Sequence, residues 1–150
     1  MKNLDRDPIV ILSDLARFIR TRADARARAH GMTRAQWMIL VRLDRQPGMS
    51  QNELAQLIEV EPITVGRLVD RLEARGFVER RPDASDRRIW RLHLNSAATP
   101  MLEEIAAARA ELNELLVGGI AQKNVDAAID CLLEMKANLA TETRIGAKSA

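Results

Sequence analysis

Between residues 67 and 99 the chain carries eight basic residues, and all eight are arginine. A guanidinium fork matches a phosphate or the major-groove edge of guanine through two parallel hydrogen bonds. Two groups are placed for that chemistry. Pro62, Ile63, Thr64 and Arg67 fall on the outward side of the start of a predicted helix. There the Thr64 hydroxyl can bond a phosphate or base edge, and its methyl can meet a thymine methyl. Arg67 can make the bidentate contact to guanine, and Gly66 keeps that surface low so that a groove can come close. The second group is Asp86-Arg87-Arg88, in a polar loop. Asp86 can hold one of these arginines in a bidentate pair. A thin cationic loop of this kind follows a phosphate backbone or enters a minor groove. Ser50 and Gln51, at the head of the preceding helix, are further candidate DNA contacts. For each, the plain alternative is ordinary polarity of a helix surface or a solvated turn.

These residues need elements to hold them. Residues 8–29 are predicted helical: Pro8 suits the first turn, and Ile9, Leu12, Leu15, Ala16 and Ile19 recur at spacings of three and four. His30-Gly31 stops this helix. Thr33 with Gln36 has the spacing of a capping box opening a second helix, which carries Trp37, Leu40, Val41 and Leu43. Ser50 with Glu53 is a second capping box, before a short helix with Leu54, Ala55, Leu57 and Ile58. After a turn at Glu59–Glu61, Pro62 opens a helix with Val65, Leu68, Val69 and Leu72 at core spacing, closed by Arg75-Gly76. The pair has the length of a helix-turn-helix, whose second helix enters the major groove by its N-terminal end. The period then changes. Residues 77–81 and 89–94 are short and rich in β-formers, and in the second run Trp90, Leu92 and Leu94 alternate with Arg91 and His93; around the loop 82–88 this predicts a hairpin with an arginine tip. Two helical stretches, about 100–117 and 122–143, follow around Gly118-Gly119. The expected fold is mainly α with a small β-hairpin wing (α+β), a winged helix-turn-helix.

Composition narrows the function classes. One hundred and fifty residues make one domain's worth of chain, and 47% hydrophobic content suits a globular protein. Aromatics are only 3%, so the core must be built from Leu, Ile, Val, Ala and Met. Net charge is +2 but unevenly placed: residues 67–99 carry eight basic and five acidic groups, residues 100–143 three and eight. An arginine-rich zone in a nearly neutral chain points to a phosphate-binding surface. The single cysteine, Cys131, excludes a disulfide within one chain and a cysteine-based zinc site. It reads as a small buried hydrophobe, since Asp130 and Glu134 beside it disfavour a reactive thiolate. His30 and His93 have no ligand partner at metal spacing, so no metal or cofactor is expected. No activated nucleophile or acid–base pair assembles from named residues, which argues against an enzyme. No apolar run is long enough for a membrane span, and the N-terminus has no signal core. The expectation is a cytoplasmic protein.

The run from Thr33 to Leu94 resembles the MarR family of bacterial transcriptional regulators. The resemblance rests on Gln36-Trp37, the Ser50–Ala55 cap and helix, Val69–Gly76 with its Leu-Glu-x-x-Gly ending, and Asp86-Arg87-Arg88. Where many members read Leu-Thr-x-x-Gly after the last strand, this chain reads Leu94-Asn-Ser-Ala-Ala98, and its Ala98-x-Pro100 looks more like the SlyA-type subgroup. Gly66 replaces a commoner polar residue. The first-helix cysteine of peroxide-sensing members is absent.

The resemblance implies one MarR-type chain over 1–150, with a DNA-binding region at 33–95. Helices at 8–30 and 100–143 would interlock with a second copy as the dimerisation region. The homodimer would read a pseudo-palindromic operator in double-stranded DNA, with Arg67 as the recognition-helix arginine and Arg88 as the minor-groove arginine of the wing. It also implies repression relieved by a small organic ligand, often aromatic or phenolic. Trp37 reads first as core; the functional reading puts it at a pocket edge, with Arg17 offering a cation and Phe18, Met38 and Val41 apolar walls. A winged-helix module that binds protein and not DNA is the alternative.

Overall fold

Local capping chemistry decides where the first helices begin. The computed structural model describes residues 4–146, with side-chain surroundings through 140. Asp7 caps α1 (Pro8–Ala29), its carboxylate accepting from the Ile9 amide. Thr33 caps α2 (Arg34–Arg45) in a reciprocal capping box with Gln36. Ser50 and Glu53 do the same for α3 (Gln51–Ile58): the Ser50 amide donates to Glu53 Oε2 at 2.6 Å. Glu59 then takes a left-handed conformation, φ 54°, and turns the chain into α4 (Pro62–Ala74). No side chain caps α4; Pro62 at its start removes one amide that would need a partner.

The strands β2 (Val78–Pro82) and β3 (Trp90–Leu94) pair antiparallel, with Val78 opposite Leu94 and Pro82 opposite Trp90. A third strand, β1 (Met49–Ser50), lies on the other edge of β3, with Met49 opposite Leu92. The sheet order is β1-β3-β2. The expected hairpin is therefore two strands of three. Gly48 makes the added edge possible: at φ +81° it donates its amide to the Leu92 carbonyl, and the His93 ring lies against it. The helices α5 (Thr99–Val117) and α6 (Gln122–Gly146) complete the order.

One hydrophobic core joins α2, α3, α4 and the sheet: Leu40, Leu43, Leu54, Val65, Val69, Leu72, Val78 and Leu92 are all buried. Each such side chain contributes about 1.5–3 kcal/mol by leaving water. This core fixes the pitch of α4 against the sheet. In β3 only Leu92 is fully covered; Trp90, expected on the same apolar side, is exposed.

The chain divides into two compact units between Leu112 and Asn113. In the first, α1 exposes Ile9, Val10, Ile11, Leu12, Leu15, Phe18 and Ile19. In the second, α6 exposes Ile129, Leu132 and Leu133. Cys131 is also exposed, against the expectation of a buried thiol, because the surrounding faces of α6 are uncovered. Among the described residues no helix is long and apolar enough to cross a membrane, and no group of three metal-ligating side chains forms.

Candidate nucleic-acid interface

The start of α4 presents Pro62, Ile63, Thr64 and Arg67 to solvent, while Val65, Leu68 and Val69 anchor the opposite side in the core. That division follows from the helical period: positions 65, 68, 69 and 72 form one stripe, and the intervening residues must point away. Arg67 makes no ion pair or hydrogen bond among the described residues, so its full fork is available. Ile63 is the most exposed apolar residue of the helix, at 69%.

Two expected contacts are placed differently from their neighbours. Gln51 is half-buried, and its amide donates to the Pro62 carbonyl at 3.2 Å. A Cβ at Gly66 would lie 2.8 Å from that same Gln51 nitrogen. Gly66 thus leaves room for a side chain of α3. This packing role stands beside the expectation that Gly66 lowers the surface for an approaching groove. The Ser50 hydroxyl accepts from the Glu53 amide as the cap of α3.

The wing loop is ordered by a chain of charged hydrogen bonds. Asp83 Oδ1 accepts from the Ser85 amide, the Ser85 hydroxyl and the Asp86 amide. Its other oxygen accepts from Arg91 Nε at 2.7 Å. Asp86 then receives Arg88 on both oxygens, Nε and Nη2 each at 3.0 Å, the bidentate pair foreseen from the spacing. Arg88 is 90% exposed at the tip. Arg87 beside it is exposed and makes no side-chain bond among the described residues.

Arg91 has no place among the expected site residues, yet it joins the two parts of the interface. From β3 it reaches Asp83 in the wing, Glu53 Oε2 at 3.0 Å at the head of α3, and the Gly48 carbonyl at 3.3 Å. Arg80 does a similar service on β2, binding Asp70 and Glu73 of α4 and lying 3.4 Å from the Gly66 carbonyl. The electrostatics agree. Hydrogen bonds from Ser85 and Arg91 hold the Asp83 carboxyl well below the carboxylate range. The Arg88 guanidinium lowers Asp86, and the Ser50 backbone and hydroxyl lower Glu53. Asp86 in turn raises Arg88, and Asp83 raises Arg91. Each shift favours the charged form of its group.

A helix with an unengaged arginine near its start, followed by a braced wing with an exposed arginine, presents guanidinium forks of the kind that match phosphates and base edges. A family model described as MarR family matches residues 32–90. The crystal structure of the transcriptional regulator PA3341 is 32% identical with a TM-score of 0.76, over 87% of this chain and 96% of that one. The chain belongs to the MarR family. The structure of MarR itself is 27% identical, TM-score 0.77, over 95% and 98% of the two chains. That of the transcriptional regulator SlyA is 26% identical, TM-score 0.77, over 91% and 96%. As a member of this family the chain is a winged-helix, DNA-binding transcription regulator, and not an enzyme.

The residues expected around an effector do not share one environment in this MarR-family chain. Trp37 is buried in the core, 6% exposed, with Met38 and Val41 packed against the same cluster. Its Nε1 is buried with no partner among the described residues. Arg17 and Phe18 are exposed on α1; Arg17 pairs with Asp14 at 2.8 Å and stacks over the Phe18 ring at 4.5 Å.

Proposed function

We propose that this chain is a homodimeric repressor that binds a pseudo-palindromic operator and is released by a small organic ligand. Residues 33–95 form the DNA-binding region in this reading, and 8–30 and 100–143 the dimerisation helices. Pro62, Ile63, Thr64 and Arg67 enter the major groove, with Ser50 and Gln51 at its edge. Asp86 positions Arg88 for the minor groove, and Arg87 reaches phosphate. The observation that carries it is the pairing of an unengaged Arg67 on α4 with a bidentately held, 90% exposed Arg88 on the wing. Dimerisation is supported by the exposed apolar row on α1 and by Ile129, Leu132 and Leu133 on α6, because rows this long are costly to leave in water. A two-fold dimer sets its recognition helices ~34 Å apart, one turn of duplex.

The test is binding to the intergenic DNA upstream of the chain's own gene over a salt series. We expect tight binding whose logarithm falls linearly with the logarithm of salt, as counterions leave the phosphates. A flat response from a verified folded dimer would move the chain to a winged-helix protein-interaction module.

The ligand reading places an aromatic or phenolic acid against Arg17, Phe18, Trp37, Met38 and Val41, favouring a dimer whose helices no longer match the half-site spacing. Arg17 supports it as a cation held over an aromatic ring. Arg17→Ala is expected to lower the response of the DNA complex to benzoate while leaving operator affinity unchanged. A benzoate titration superimposable on the parent's would remove Arg17 from the pocket.

A further inference from the structure

The C-terminal end of α4 meets the turn between α1 and α2 at a cleft of about 450 Å3. Its lining includes three arginines, Arg28, Arg71 and Arg75, and no carboxylate. The acids that could have neutralised them are engaged elsewhere. Asp70 and Glu73 of α4 both bind Arg80, Asp24 of α1 binds Arg34, and Glu111 binds Arg26. Glu104 faces His30 at 3.9 Å and does not line the cleft. Among the described residues the guanidinium groups of Arg28 and Arg71 make no ion pair or hydrogen bond.

The other lining groups are ready-made for an anion. Arg75 is braced: its guanidinium donates to the His30 and Gly31 carbonyls at 3.4–3.5 Å and lies over the Phe77 ring at 4.8 Å. Carbonyls fix its position without cancelling its charge. Gln36 is 4% exposed; its carbonyl oxygen is used by Thr33, and its amide nitrogen makes no hydrogen bond among the described residues, which leaves it free to donate to a ligand in the cleft. Met32 and Ala74 supply apolar wall.

We propose that this cleft binds a small organic polyanion, its carboxylate or phosphate oxygens held by Arg28, Arg71 and Arg75 and by the Gln36 amide. The size is that of a small-molecule site and exceeds an inorganic ion. Duplex phosphate is a poor fit, because Arg71 and Arg75 lie roughly 10–16 Å along α4 from Thr64, away from its groove-facing end. A ligand here would bridge the recognition helix to α1, which is how an anion could bias operator binding.

The probe is citrate, titrated into the full-length dimer by calorimetry at constant ionic strength, with chloride and inorganic phosphate as controls. Saturable citrate binding is expected, weakened about ten-fold or more in Arg28→Ala/Arg71→Ala, since each lost charge-assisted bond costs that order. Both side chains are exposed, so the double variant should melt as the parent does without ligand. Equal citrate affinity in the double variant, or a response set by ionic strength alone, would overturn the site. So would a shallower salt dependence of DNA binding in the double variant, which would put these arginines on phosphates.

Discussion

Arg88→Ala is expected to weaken operator binding about ten-fold or more while leaving the melting midpoint unchanged. The separation of the two readouts follows from the geometry. Arg88 is 90% exposed and touches only Asp86, so the fold loses little when it goes. DNA loses a guanidinium at the tip of the wing. Two of its five N–H groups are spent on Asp86, which leaves three on the outward side for base edges or sugar oxygens. Asp86 therefore holds the fork in one orientation without exhausting it. Asp86→Asn should cost less than Arg88→Ala, because an amide keeps one acceptor. Arg88→Lys should not restore the parent affinity, since an ammonium cannot sit on Asp86 and reach outward with the same planar geometry. Fluorescence anisotropy against a labelled operator reads all three. An Arg88→Ala curve that overlays the parent would remove the wing from the interface.

Much of this interface was legible in the sequence because its parts are local. Thr33 with Gln36 and Ser50 with Glu53 signal their helices through bonds three residues long, and both boxes form as spaced. Asp86 with Arg88 is likewise a two-residue matter. What the sequence hid is long-range. Strand β1 has two residues, too short for any period, and exists only because Leu92, far along the chain, accepts its neighbour's amide. The packing role of Gly66 was hidden because its partner, Gln51, lies in another helix. Trp90 alternates correctly with Leu92, yet the sheet is covered only near its centre. The arginine cleft joins residues 28, 36, 71 and 75, which no spacing rule connects. Arg91 looked like one more outward residue of a strand for the same reason.

Arg91→Ala is expected to damage both binding and stability, and this distinguishes it from Arg88→Ala. Removing the guanidinium leaves Asp83 without its one arginine and Glu53 with only the Ser50 cap. The wing loop then loses its tie to α3, and two carboxylates face each other's neighbourhood with less compensation. We expect operator affinity to fall about ten-fold or more, as the Arg88 contact is no longer held in register with α4. The melting midpoint should drop by a few degrees. Arg91→Lys should recover part of the stability and little of the affinity, because one ammonium cannot span Asp83, Glu53 and the Gly48 carbonyl. Acid should mimic the substitution. Asp83 and Glu53, the two carboxylates on Arg91, both titrate below their unfolded values, so their contribution is complete above the ordinary carboxylate range, ~4, and is lost as pH falls through the lowered values. In Arg91→Ala that acid loss should be smaller and should end at higher pH, since Asp83 and Glu53 no longer have the arginine beside them in the folded state. Thermal melts of parent and variant across an acid series read this directly. Parallel pH profiles for the two proteins would mean that Arg91 merely occupies space on β3 and does not couple the wing to the head of α3.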